Sequence, residues 1–89
     1  MNQKFSLGRL VITNTAAAAL NPADVAPAIR RHAGGDWGDL DGHDRQVNEW
    51  ALRQGGRLFS SYRDSAGTRF WVISEADRSA TTVLLPEDY

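Results

Sequence analysis

The feature that most restricts the fold of this chain is its C-terminal third, where three short runs of strand character are separated by brief polar segments. Leu58–Arg63 and residues 68–74 are rich in aromatic and β-branched residues, and the turn between them at residues 64–67 predicts a hairpin. A last strand is predicted over residues 80–85, and it ends at Pro86 because proline cannot donate a hydrogen bond to a strand ladder. Together these runs predict an antiparallel meander.

The N-terminal segment is predicted to form a strand followed by a short helix. Residues 7–13 are apolar and β-branched, which is typical of a strand. Asn14 and Thr15 then offer a cap for a helical stretch over residues 16–20.

A second helix is indicated by Asn21 and Pro22, a capping residue followed by proline at the first helical position. Pro27 fits only within a first turn, because its ring clashes with the preceding turn of a helix. The regular part of this helix is therefore predicted to begin near Ala26, and it ends where Gly34 starts a glycine pair.

A third helix is predicted over Gly42–Gln54, after a loop at residues 36–42. Asp41 can cap it, and Asp44 falls in its first turn, where a carboxylate meets free N–H groups. One face of the helix follows the i, i+3, i+4, i+7 spacing with Val47, Trp50, Ala51 and Gln54.

The element order β-α-α-α-β-β-β predicts an α+β fold over residues 1–89 as a single domain. Helices packed on one face of the C-terminal meander would bury much of a large apolar set: Trp50, Phe59, Phe70, Trp71, Ile73 and Leu84. Alternating strand positions cannot all face one way, so part of this aromatic surface is expected to be exposed. Such a patch is a candidate contact surface, and a homodimer through it is possible.

Composition excludes several classes of protein. The 89 residues contain no cysteine, which excludes disulfides, thiolate metal sites and thiol nucleophiles. The net charge of -1 argues against a generally basic nucleic-acid binder, so no direct nucleic-acid contact is expected. There is no apolar run of membrane-spanning length and no signal peptide, which predicts a cytoplasmic protein without membrane contact. Charge is uneven, however, at +3 over residues 1–35 and -4 over residues 36–89.

Four aspartates lie close together at Asp36, Asp39, Asp41 and Asp44. Their order does not match an EF-hand loop, although several carboxylates could in principle bind a hard cation. Helix capping within a turn is the simplest interpretation. A third interpretation is that the four aspartates form an acidic surface that docks on a basic partner.

The two histidines allow a general acid–base site. His32 lies near the end of the second helix, where the helix dipole favours an imidazolium, and His43 lies in the first turn of the third. Either could meet Glu75 or Asp77, but no local feature enforces this, and a surface or capping role is the simpler interpretation.

The polar link around Arg78 is longer and more highly charged than a hairpin needs. Arg78 could pair locally with Glu75 or Asp77, or bind a partner's carboxylate or a phosphate. Trp37, in the loop before the third helix, is either a plug over the core or an interface anchor.

Several of these segments resemble a family of small bacterial proteins found on plasmids, integrative elements and prophages. The resemblance covers nearly the whole chain and is carried by residues 31–40, 56–58, 71–82 and 85–89 together with Asp44, Asn48, Ser60 and Tyr62. Members are often labelled "plasmid-related protein" or "type I restriction endonuclease subunit M". The second label does not fit a chain this short that lacks a glycine-rich cofactor motif. The resemblance implies an accessory protein of mobile elements, a setting that includes anti-CRISPR and anti-restriction proteins.

The leading hypothesis is therefore a non-enzymatic protein that binds and inhibits a host-defence complex, either a CRISPR effector or a restriction enzyme. It needs no cofactor and no metal. Its predicted partner-binding residues are Asp36, Trp37, Asp39, Asp41, Asp44, Glu75, Asp77 and Arg78.

Two alternatives belong to other classes. A small toxin-type ribonuclease with helices on a sheet could use His32, Arg57, Tyr62 and Arg78 as acid, base and phosphate binders. A helix-turn-helix accessory protein could be built from residues 22–54, although its acidic linker would face DNA phosphates unfavourably.

Overall fold

The fold was analysed in a computed structural model that describes residues 3–89. Its elements, in chain order, are β1 (Arg9–Ile12), α1 (Asn14–Ala19), α2 (Pro22–Ala33), α3 (Gly42–Gln54), β2 (Leu58–Arg63), β3 (Arg69–Ser74), β4 (Ala80–Leu84) and a final 3-10 turn (Pro86–Asp88). This confirms the predicted α+β class and the β-α-α-α-β-β-β order. None of the helices described within residues 3–89 has the length and apolarity required to cross a membrane.

The four strands form one mixed sheet in the order β1-β4-β3-β2. The C-terminal meander is antiparallel as predicted, with Phe59 opposite Ile73 and Val72 opposite Val83. β1 instead runs parallel to β4, with Ile12 beside Val83. The sheet is thus partly parallel, because β1 enters it beside the last strand of the chain.

The helix starts follow their capping side chains. Thr13 accepts a hydrogen bond from the Ala16 amide and starts α1 at Asn14, slightly before the predicted stretch. Asn21 caps α2, so that helix begins at Pro22 and not near Ala26 as predicted. Pro27 therefore lies inside the helix, where it removes the amide that would bond the carbonyl of Ala23.

α3 has the predicted bounds, but a different side of it is buried. Asp41 accepts from the Asp44 amide at its start, and Gly55 ends it in the left-handed region. The buried residues are Asn48 and Ala51, whereas Trp50, which was expected in the core, is 58% exposed. The expectation failed because a small alanine and a hydrogen-bonding asparagine bring the helix close to β2.

The core has two clusters on the helix side of the sheet. The larger joins α1 and α2 to the meander, through Ala16, Leu20, Ala28, Tyr62, Phe70, Val72, Val83 and Leu85. The smaller consists of Trp37, Ala51 and Leu58, with Phe5, Leu40 and Leu52 packed against it. On the opposite face Trp71 is half-buried between the rings of Phe59 and Tyr89, at 4.8 and 5.7 Å between centroids.

The two edges of the sheet differ. At the β2 edge, the Asn48 side chain bonds both the amide and the carbonyl of Phe59, while Trp37 and Asp39 bond the backbone of Ser61. At the other edge, all four residues of β1 are exposed. β1 is shorter than the predicted strand over residues 7–13. Gly8 bends the chain there, with a φ of 64° and its backbone tight against that of Arg78 and Ser79.

Candidate functional site

His32 is fully buried and lies in a chain of hydrogen bonds that crosses three strands. Its Nδ1 is 2.6 Å from the Ser60 hydroxyl on β2, and its Nε2 is 2.9 Å from the Ser74 hydroxyl on β3. Ser74 is 2.6 Å from the Thr81 hydroxyl on β4, which donates to the carbonyl of Leu7 at 2.7 Å. Both ring nitrogens therefore have partners, and no surface group reaches them.

The donor–acceptor direction along these hydrogen bonds assigns the tautomer of His32. Thr81 gives its single hydrogen to Leu7, so it accepts from Ser74. Ser74 then has no hydrogen left for the ring and must accept from Nε2–H. Burial keeps the ring neutral, so its one hydrogen is on Nε2 and Nδ1 accepts from the hydroxyl of Ser60.

The predicted acid–base roles of the histidines do not fit this arrangement. Burial, together with the smaller effect of the positive charge of Arg78, lowers the pKa of His32 to about 4. The expectation of an imidazolium at the helix end is wrong, because the ring is desolvated and not placed at the surface. His43, Glu75 and Asp77 are all exposed, and none of them bonds to His32.

The buried ring predicts a specific pH dependence of stability. The pKa of His32 is about 4 in the folded protein and near 6.5 in the unfolded chain, so between these values the unfolded chain binds a proton that the folded chain does not. The free energy of unfolding should therefore fall by roughly 3 kcal/mol as the pH drops through this window. Urea denaturation at a series of pH values measures it. A His32→Gln variant should lose the slope and His43→Ala should keep it; a wild-type curve that is flat in this window would contradict the assignment.

Arg78, predicted to bind a partner, is instead used within the fold. Its guanidinium donates to the carbonyls of Ala51 and Gly56 at the end of α3, at 3.2 and 2.6 Å, and to those of Glu75 and Ala76 in its own turn. Its φ of 61° places it in the left-handed region. Arg78 thus ties the β3–β4 turn to the C-terminal end of α3. The predicted pair with a neighbouring carboxylate does not form.

Of the two interpretations of Trp37, a plug over the core and an interface anchor, the structure supports the plug. Its side chain is 4% exposed and packs against Phe5 and His32. Its indole Nε1 donates to the carboxylate of Glu49 on α3 at 2.7 Å. The side chain is therefore not available as an interface anchor.

All four aspartates of the acidic run are exposed, but they do not act alike. Asp36 receives a 2.8 Å bond from Arg31, which holds the pKa of its carboxyl below the usual range. Asp39 lies 4.0 Å from Arg63. Asp41 is the cap of α3, and Asp44 lies in its first turn without an ion pair among residues 3–89. In that part of the chain no group of three His, Asp or Glu side chains is placed to hold a metal ion.

The predicted partner-binding residues fall into two separate places. Asp41 and Asp44 lie at the N-terminal end of α3, and Asp36 and Asp39 lie in the loop before it. Glu75 and Asp77 belong to the turn that Arg78 fastens to the C-terminal end, about 15 Å away along the helix axis. The sequence could not show this separation, because the contact between the turn and α3 is not local.

An exposed apolar strip on α3 was not predicted as a site. Val47 is 49% and Trp50 58% exposed, next to the acidic start of the helix. A shallow groove of about 200 Å³ runs beside Val47, lined by Leu40, Asp44, Val47, Asn48, Arg57 and Phe59. The sequence signal was present in the apolar spacing of the helix, but that spacing was interpreted as core. At about 3.6 residues per turn, Asp41, Asp44, Val47 and Trp50 form a strip that winds partly around the helix from its start. We call this strip the α3 face.

The residues of the ribonuclease alternative do not form an accessible site. His32 is buried, and the Tyr62 hydroxyl is buried and donates to the Asp36 carbonyl. Burial raises the pKa of Tyr62 to about 12. Arg78 faces backbone carbonyls, which leaves Arg57 as the exposed member of the four.

The helix-turn-helix alternative meets a similar difficulty. The loop between α2 and α3 is bonded to the edge of β2, and α3 itself packs on that strand through Asn48. The outward side of α3 starts with two carboxylates, which DNA phosphates would repel.

Comparison with protein-family models, with curated proteins and with solved structures finds no match to this chain.

Proposed function

We propose that this chain is a non-catalytic binding protein that inhibits a host-defence complex, a CRISPR effector or a restriction enzyme, by docking the α3 face on a basic surface of that complex. The observation that carries the proposal is the exposed Trp50, held on a regular helix whose cap and first turn carry Asp41 and Asp44. Tryptophan is among the residues that contribute most to protein–protein binding, because it buries a large area with few rotatable bonds.

The surroundings of Trp50 support a preformed binding surface. α3 is capped at both ends, by Asp41 and Gly55. It is fixed to β2 through Asn48 and to the β3–β4 turn through Arg78. A rigid helix loses little conformational entropy when it binds.

Charge supplies the preference for a basic partner. Asp41 and Asp44 lie at one end of the α3 face, and Asp39 is close by in the loop. Opposite charges across an interface accelerate association and select the partner. Basic grooves that hold guide or target nucleic acid have the complementary charge, and a protein that occupies such a groove blocks its normal ligand.

The α3 face contains fewer of the charged and aromatic residues than the partner-binding set predicted from the sequence. Trp37 and Arg78 are excluded because the fold uses them internally. Glu75 and Asp77 are excluded because they lie at the C-terminal end of α3, away from Asp41 and Asp44. The excluded carboxylates provide a control with the same change of charge.

The proposal predicts which substitutions weaken capture of a defence complex from a host lysate. Trp50→Ala should weaken binding by about tenfold or more, since truncating a central aromatic anchor removes more than 1 kcal/mol. The pair Asp41→Asn and Asp44→Asn should slow association at low salt while keeping the helix cap, because asparagine caps as well as aspartate does. Capture on tagged protein, followed by inhibition of the purified complex, measures both effects.

The control is the pair Glu75→Gln and Asp77→Asn, which removes the same charge from the other end of α3. It should bind as the wild type does. Equal losses in both pairs, or no loss with Trp50→Ala, would contradict docking through the α3 face. If the wild type captures no defence complex, the inhibitor role is wrong.

A further inference from the structure

The edge strand β1 has main-chain groups that are free to pair with another strand. The amide of Arg9 donates to the carbonyl of Ser79, just before β4, and the amide of Thr13 donates to the carbonyl of Val83 in β4. Backbone groups alternate in direction along a strand, so those of Leu10 and Ile12 point away from the sheet. No backbone bond outside the sheet reaches either residue from elsewhere in residues 3–89. This contrasts with the β2 edge, whose outward groups are bonded.

The side chains of this edge are apolar as well as exposed. Leu10, Val11 and Ile12 are 54, 40 and 42% exposed. Beside them a groove of about 350 Å³ opens between the strand and the helices α1 and α2, lined mainly by alanine, valine, leucine and isoleucine. Exposed apolar edges are usually blocked by charge, proline or a covering segment when no strand pairs with them.

We propose that a second copy of this chain binds this edge, with the two β1 strands antiparallel about a two-fold axis at Val11. Leu10 of each copy then pairs with Ile12 of the other, and their outward amides and carbonyls form the ladder. The two four-stranded sheets become one continuous sheet. Leu10 of each copy lies beside Ile12 of the other copy and so lengthens the apolar groove that Ile12 lines.

The charges at the ends of the strand favour a second copy over an unrelated strand. In this register Arg9 faces Thr13 of the other copy, whose hydroxyl bonds the Asp88 carboxylate at 2.7 Å. Neither Arg9 nor Asp88 forms an ion pair among residues 3–89. Because of the two-fold axis, Arg9 of each copy lies near Asp88 of the other, so this pairing occurs at both ends of the joined strands. The two Arg9 side chains stay apart. The edge is thus complementary to itself.

This inference does not depend on the proposed function. α3 covers the β2 edge, which lies at the far side of the sheet from β1. The α3 face of each copy remains free in the dimer, so the two proposals can fail separately.

Cross-linking through a single introduced cysteine tests the register, because the chain has no cysteine of its own. In Val11→Cys the two sulfurs face each other across the axis, on Cα atoms about 4.5 Å apart, and should form a disulfide dimer on mild oxidation. In Leu10→Cys the equivalent Cα atoms are offset by two residues and lie beyond the ~7 Å limit for a disulfide. That variant should stay largely unlinked. Equal cross-linking of the two variants would overturn the register.

Sedimentation equilibrium from about 1 to about 200 µM should show a reversible wild-type dimer. Arg9→Glu should weaken it by about tenfold, because like charges then face each other at both ends. Arg53→Glu, on α3, is the matched control and should not change it. A wild type that stays monomeric over this range, or a dimer in which Val11→Cys does not cross-link, would overturn the proposal.

Discussion

Replacing His32 by alanine is expected to lower the free energy of unfolding by about 3–5 kcal/mol. The ring is fully buried, so its removal leaves a cavity against Phe5 and Trp37. It also leaves the hydroxyls of Ser60 and Ser74 in the core without their ring partner. Urea denaturation of the two proteins at neutral pH measures the difference.

His43→Ala provides the matched control, since this histidine is exposed on α3. Its effect should stay within about 0.5 kcal/mol. A second control separates the cavity from the lost hydrogen bonds. Adding Ser60→Ala and Ser74→Ala to His32→Leu removes the polar partners together and should recover much of the stability lost in His32→Leu alone. A loss below about 1 kcal/mol in His32→Ala would show that the network contributes little to stability.

Gly38→Ala is expected to destabilise the protein by about 4 kcal/mol or more. An added Cβ would lie 2.0 Å from the Ser61 carbonyl and 2.7 Å from the Tyr62 ring, and the φ of 73° is itself unfavourable for alanine. The loop would have to leave the edge of β2, where Trp37 and Asp39 bond Ser61. Part of the expected decrease in the free energy of unfolding comes from losing the loop's hydrogen bonds to Ser61.

Two other glycines separate the causes of this effect. Gly55 has a φ of 87° but open space around it, so Gly55→Ala should cost only the backbone strain, about 1 kcal/mol. Gly42 is helical with no atom near its missing Cβ, so Gly42→Ala should stabilise by about 0.5–1 kcal/mol. Thermal and urea unfolding of the three variants should give this order. A Gly38→Ala protein as stable as Gly55→Ala would mean that the loop moves freely away from β2.

Local signals were sufficient for the elements whose determinants are close in sequence. Leu58–Arg63 was predicted to the residue, because the turn beside it contains the glycine and polar residues that a hairpin requires. The bounds of α3 followed from Asp41 and from Gly55. The starts of α1 and α2 were placed less well. The cap of α1 is Thr13 and not Asn14 or Thr15, and the Asn21 cap starts α2 at Pro22, ahead of the start predicted near Ala26.

The candidate site was less predictable because its contacts are distant in sequence. No local rule places Ser60, Ser74 and His32 together, or brings Arg78 to the carbonyls at the end of α3. The helix spacing that includes Trp50 is the same for a buried and an exposed strip. The choice between them depends on Asn48, whose amide matches the edge of β2 once the sheet exists.

The parallel pairing of β1 has a consequence for the order of folding. It joins Ile12 to Val83, 71 positions apart, whereas β3 meets β4 across the 7 positions from Ser74 to Thr81. Closing the longer loop costs about 2 kcal/mol more in chain entropy. The meander should therefore assemble first and β1 join last, so in the monomer the amides of β1 should exchange with deuterium sooner than those of β3. Each such opening leaves β4 without its outer neighbour, and the native protein thus exchanges with a three-stranded form.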